Sequence, residues 1–207
     1  MKYLSKLRLL MLVGAASLAG CASFPQHQVP TVAQMPDTSQ VKYKPTVHVD
    51  VKYFMNQAEV RQAEDQVAPA VTSAVLESGL FNPTKYGVGD KTDLSVNVII
   101  RNHGDTGAAA VSGFITGFTL GVIPGKAGDK FEVQVQVLDN NGKELTSATN
   151  EDAVNTWIGW VFLPVANNPN RVVRETLSNQ VRAALAAAYN TGKLTVVAPN
   201  TVSASAR

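Results

Sequence analysis

Residues able to carry chemistry are few and scattered. His27, His48 and His103 are the three histidines. None has a partner at the spacing a metal ion requires, so each is expected to be a surface or strand residue. Gly87-Val88-Gly89-Asp90-Lys91-Thr92 has the outline of a phosphate loop, but Asp90 stands where the glycine before Lys91 should be. A strand rather than a helix follows it. Gly121 to Lys126 leaves three residues between its glycines and puts Ala127 where a hydroxyl is required. Ser73, Ser78, Ser112 and Ser178 lie in no nucleophile elbow. Asp90 with Asp93, and Asp105 with Asp129, could pair, but loop acids of this kind are expected to be solvated. The expectation is therefore a chain that is not an enzyme, with no catalytic residue, no metal site and no dissociable cofactor. One thiol remains, Cys21, the only cysteine, which rules out an intramolecular disulfide.

The residues before that thiol give it a role. Lys2, Lys6 and Arg8 precede an apolar run from Leu9 to Leu18, and small residues follow up to Cys21. This is the three-part plan of a secretory signal. The run is about half of the roughly 20 residues that a membrane span takes. Leu18-Ala19-Gly20-Cys21 resembles the lipobox of bacterial lipoproteins. The resemblance implies that the Cys21 sulfur takes a diacylglycerol, that the chain is cut before Cys21, and that the new amino group is acylated. Small side chains admit the peptidase, and a thiol is nucleophilic enough to accept the lipid. Several acyl chains, at about 0.8 kcal/mol per buried methylene, anchor a protein durably. Ala22 and Ser23 lack the aspartate that commonly retains such proteins at the inner membrane. The implied address is thus the outer membrane, lipid-anchored, on the periplasmic side.

Removal of residues 1–20 takes three of the 18 basic residues and none of the 16 acidic ones, leaving 15 against 16 and a net charge of −1. No long basic cluster survives to neutralise phosphates, so nucleic acid is not an expected partner. The 187 residues that remain suit one domain. Residues 21–45 carry Pro25, Pro30, Pro36 and Pro45 among polar residues and read as a lipidated cysteine followed by a flexible tether. An ordered arm packed along the domain is the alternative.

The domain itself is expected over 46–198, with a disordered tail at 199–207. Thr46 to Tyr53, Asp93 to Arg101 and Lys130 to Leu138 alternate with the period of half-buried strands. Asp139-Asn140-Asn141-Gly142 then marks a hairpin returning through Lys143 to about Asn150. Asn56 to Gly79 predicts a helix capped by Asn56, with a kink or break near Pro69. Arg171 to Tyr189 predicts a second helix, and Leu194 to Val197 an edge strand. The order β-α-β-β-β-α implies an α+β, two-layer sandwich: an antiparallel or mixed sheet of four to five strands with two helices on one face.

Two stretches fit this plan poorly. Ala108 to Pro124 has no charge, and neither has Trp157 to Val165, which holds both tryptophans. If the last three main strands run antiparallel, both stretches emerge at one end of the sheet. They are then core, or an exposed patch for a protein partner, or a membrane-inserting surface with Trp at headgroup level. The candidate interaction residues are Phe114, Ile115, Phe118, Leu120, Ile123, Trp157, Trp160 and Phe162. Gly113, Gly117 and Gly121 would give one small helical face.

Val71 to Phe81 (VTSAVLESGLF), followed by Asp93 to Val98, resembles the helix-then-strand passage of small envelope domains. These are the amino-terminal domain of the Tol-Pal translocation protein, the lipoprotein activators of peptidoglycan synthases, and the curli secretion lipoprotein. The likeness is one of pattern over residues 47–150, and the stretch from Gly113 onward is similar to proteobacterial lipoproteins. It implies a non-catalytic, lipid-anchored binding or assembly factor of the cell envelope, with membrane lipid as one partner through Cys21. An envelope protein or a second copy would be the other. A membrane-inserting secretion or pore component and an envelope-acting hydrolase are the alternatives.

Overall fold

Period-two alternation builds the sheet, because successive side chains on a strand point to opposite faces. In this computed structural model, residues 20–39, 43–82, 92–104 and 122–194 are described, with positions 107, 112, 115, 116 and 119 between them. The elements are β1 (Gly20–Pro25), β2 (Val47–Met55), β3 (Ala58–Glu59), α1 (Arg61–Leu76), β4 (Leu94–Asn102), β5 (Gly125–Asp139) and β6 (Glu144–Gly159). A 3-10 helix (Trp160–Val165) and α2 (Pro169–Asn190) complete them. The strand order is β1-β6-β5-β4-β2-β3. β2 and β4 are parallel, joined through α1, and the other neighbours are antiparallel, so the sheet is mixed and the class is α+β.

Val47, Val49, Val51 and Tyr53 of β2 face inward, as do Val96, Val98 and Ile100 of β4 and Val133, Val135 and Val137 of β5. They meet Val67, Val71 and Val75 of α1 and Leu177, Val181 and Leu185 of α2 in one core. Both helices therefore cover the same face. The other face is polar, carrying His48, Asp50, Ser95, Asn97, Gln134 and Gln136, with Arg101 paired to Glu132 at 2.8 Å.

Several elements differ from expectation. Six strands form among the described residues rather than four or five. Asn56 does not cap α1. It and Gln57 have φ of 47° and 75° and make the two-residue turn of the β2–β3 hairpin, where left-handed backbone is required. The helix starts at Arg61 after Val60, with no side-chain cap. It does not break at Pro69, which is exposed, so the carbonyl deprived of a backbone N–H lies on the solvent side. Leu80 and Phe81 fold back onto the core after Gly79 at φ 74°. α2 begins two residues before its expected start, with Pro169 in the first turn and Asn168 Oδ1 accepting the Arg171 N–H at 3.3 Å.

The largest difference concerns the segment read as a tether. Gly20–Pro25 is an edge strand on β6. Beyond it, Gln28 N–H donates to Asp152 Oδ1 at 3.1 Å, Val32 N–H donates to Asn179 Oδ1 at 2.8 Å, and Thr38 Oγ1 donates to the Gly79 carbonyl at 3.1 Å. Residues 20–39 thus form an ordered arm. Polar side chains of β6 and α2 supply the partners that a proline-bearing backbone cannot find in itself. Leu18 and Ala19 of the lipobox-like sequence, residues 83–91 with the phosphate-loop resemblance, and the tail after 194 lie outside the described residues. Of the expected edge strand at Leu194, only Leu194 is described, in a turn.

Candidate functional site

β5 and β6 run on past their expected ends, and this extension builds the site. β5 begins at Gly125 and β6 continues to Gly159, so Gly125 pairs with Ile158. On the other side of β6, Cys21 pairs with the same Ile158. Cys21, Ile158 and Gly125 therefore form one row across three strands. At about 4.8 Å between strands, the row is roughly 10 Å wide.

The start of β1 is held from both sides. Its outer edge faces the loop between the 3-10 helix and α2, where Asn167 acts as a substitute strand. The Asn167 backbone N–H donates to the Cys21 carbonyl at 3.0 Å. Its side-chain oxygen accepts the Ser23 N–H at 2.9 Å, and its side-chain NH₂ donates to the Ser23 carbonyl at 2.8 Å. Ser23 and Thr156 hydroxyls lie 2.7 Å apart across the strand pair. The residue before Cys21 is equally constrained: a Cβ on Gly20 would fall 2.8 Å from the backbone N and Cα of Leu163 in the 3-10 helix.

Around this row the surface is apolar and open. Ile115 is 42% exposed, Val122 73% and Ile123 51%, while Trp160, Val161, Leu163 and Val165 are 42–68% exposed. Trp157 and Phe162 are half-buried and pack together with ring centroids 5.7 Å apart, and Lys126 Nζ lies 5.7 Å from the Trp157 ring centroid. None of these side chains belongs to the core cluster. The connection before β5 is drawn against the same end. Thr119 Oγ1 accepts the Ile123 N–H at 3.1 Å, and Ser112 Oγ accepts the Lys126 N–H. A side chain at Gly125 would collide with Thr116 Oγ1 and Ser112 Oγ, which explains the glycine. Of the eight residues singled out from sequence, Ile115, Ile123, Trp157, Trp160 and Phe162 are described and share this end. Phe114, Phe118 and Leu120 lie outside the described residues. Val122, Val161, Leu163 and Val165 were missed within their own segments, and Asn167 was missed altogether. A lone asparagine before a helix signals a cap or turn, and its pairing with a strand 144 positions away has no local trace.

Other polar groups tie elements of the fold together. Asp93 Oδ2 accepts from the Tyr43 hydroxyl at 2.7 Å and from the Thr46 N–H and hydroxyl at 2.8 Å, joining the ends of β2 and β4. That hydrogen bond to Asp93 raises the Tyr43 phenol above its ordinary pKa. Between the first turns of the two helices and the adjoining strand ends, a cavity of about 200 Å³ is lined by Tyr53, Gln66, Asn102, Asp129, Asn170 and Arg174, among others. Asn102 Nδ2 donates to Tyr53 Oη at 3.0 Å and to Asp129 Oδ1 at 2.9 Å. Burial raises the Tyr53 phenol, opposed by its bond to Asn102. Among the described residues no group of three or more His, Cys, Asp or Glu could hold a metal ion, and no described helix is long and apolar enough to cross a membrane.

No family model and no curated protein matches the chain. Solved structures do. The PelC dodecamer of Paraburkholderia phytofirmans is 11% identical, covering 80% of this chain and 96% of that one, with a TM-score of 0.35. Protein XCC0632 of Xanthomonas campestris, a DUF330 protein, is 11% identical, covering 79% of this chain and 93% of that one, with a TM-score of 0.38. Likenesses this distant leave function to the chain's own residues.

Proposed function

We propose that the chain is a lipid-anchored, non-catalytic binding or assembly factor on the periplasmic side of the outer membrane, with its anchor set in the apolar end of the sheet. One observation carries this reading. The residue that the lipobox resemblance marks for acylation lies in the same strand row as the roots of both uncharged segments. A large exposed apolar patch marks a contact in a soluble domain, and here the anchor supports it from beside it. The test is metabolic labelling of the full-length protein with radioactive palmitate, followed by separation of inner and outer membranes. Wild-type chain is expected to carry label and to band with the outer membrane. Cys21→Ser should carry none and keep its signal segment. Label retained in Cys21→Ser, or a wild-type chain recovered unlabelled in the soluble fraction, would overturn the reading.

A further inference from the structure

We infer that what covers the apolar end is the lipid leaflet itself: the same leaflet that holds the acyl chains of Cys21 also takes the exposed side chains of the 3-10 helix and of Val122 and Ile123. This deepens the anchored reading and rests on it. The decisive feature is the absence of slack. A lipoprotein on a long tether can turn any face to its membrane. Here Cys21 is the second residue of β1, its carbonyl is bound by Asn167 at 3.0 Å, and Ser23 is clamped by the Asn167 side chain. The acyl chains therefore leave from a fixed point on the fold.

That point is surrounded by the apolar side chains. Val122 and Ile123 come two to three residues before Gly125, and the 3-10 helix starts at the residue after Gly159. Both strand ends lie within roughly 10 Å of Cys21 along the row. Gly20 shows the direction of exit. Its backbone runs tight against Leu163, which is 43% exposed. In the acylated protein the amide carbonyl on the Cys21 nitrogen takes the place of the Gly20 carbonyl, and the first chain carbon takes that of the Gly20 Cα. The acyl chain thus begins its course along the 3-10 helix. A protein partner on this patch would have to sit between the anchor and the bilayer, where the fixed exit leaves it no room.

The chemistry of the end suits a headgroup boundary. Among the described residues of this end, 20–36, 122–128 and 157–167 contain no Asp or Glu, so these segments bring no carboxylate to the contact. Trp160, at 42% exposure, has the apolar ring and single N–H donor favoured at membrane interfaces. The nearby cation, Lys126, lies beside Trp157 and has a stem long enough to reach phosphate oxygens.

The test uses full-length, processed Trp157→Phe protein, in which Trp160 is the only tryptophan, placed in vesicles of phosphatidylethanolamine and phosphatidylglycerol. Mass spectrometry of the amino-terminal peptide reports acylation in the same sample. Trp160 emission is expected to shift to the blue, to be quenched by lipids brominated near the carbonyl end of their chains, and to lose its quenching by aqueous acrylamide. Adding Val161→Asp and Leu163→Asp, both on exposed positions, should abolish the brominated-lipid quenching while the acylated protein stays on the vesicles. Acylated protein whose Trp160 remains open to acrylamide and blind to brominated lipid would overturn the docking and leave the anchor standing. Trp160 shielded from both quenchers would mean that protein covers the patch, which also overturns it. An unacylated Cys21 would overturn the anchored reading, and the docking with it.

Discussion

At the scale of single residues, Asn167 and Gly125 bear most on how the site is held. Asn167 gives Ser23 both hydrogen bonds that a neighbouring strand would have given. Its replacement in Asn167→Ala should cost about 2 kcal/mol, the net worth of the two bonds. The Ser23 amide should exchange its hydrogen faster than in wild type while core amides such as Val98 change less. Gly125 is a matter of space. Gly125→Ala should destabilise by about 1–3 kcal/mol, as overpacking does, because its Cβ would meet Thr116 Oγ1 and Ser112 Oγ. Thermal unfolding should show part of that loss recovered in Gly125→Ala combined with Thr116→Ala, since the main obstruction is then gone. A purely conformational effect of the methyl group would show no such recovery.

At the scale of elements, the β5–β6 hairpin is the best case of a sequence signal with a physical cause. Asp139 Oδ1 accepts the backbone N–H groups of Asn141 at 2.8 Å and Lys143 at 2.9 Å, and Gly142 has φ of 80°. Those donors, Lys143 first, hold the Asp139 carboxyl below its ordinary pKa of about 3.9. A carboxyl depressed by folding adds stability that is complete above the ordinary value and lost as pH falls through the lower folded one. Amide resonances of Asn141 and Lys143 should therefore titrate below about pH 4, and in Asp139→Asn they should not. The strands with clean alternation were legible, because burial of one face imposes period two on the residues themselves. The β2–β3 turn was not, because Asn56-Gln57 lacks the glycine that usually signals a left-handed turn. The outer halves of β5 and β6 were also hidden: Lys126 to Lys130 and Asn155 to Ile158 are half-buried or exposed on both faces of the sheet, so no alternation is enforced. β1 was hidden for another reason. Its residues carry the lipobox resemblance rather than an alternating pattern, and its backbone partners, β6 and Asn167, lie far along the chain.

At the scale of the whole molecule, the arm determines how the domain meets its surroundings. Prolines and polar residues suggest a spacer that would hold the domain tens of Å from the lipid, yet the first residues are pinned to β6 and the arm then crosses α2 to reach Gly79. Under the proposed anchoring, the polar face of the sheet, with His48, Asp50, Asn97 and Gln136, would take a set orientation relative to the membrane plane. The small net charge of residues 21–207, −1, adds little long-range steering, so in this reading orientation falls to the proposed anchor and the end that surrounds it. The most direct measurement of that arrangement exploits the single native thiol. With the Cys21 sulfur occupied by lipid, Val161→Cys adds the only free thiol, at a position 68% exposed in the isolated chain. A spin label on it, in the acylated protein on vesicles, should be relaxed by dissolved oxygen and shielded from a water-soluble nickel complex, as at the headgroup boundary of the bilayer. A label as open to the nickel complex on vesicles as in the unacylated domain in buffer would contradict the account.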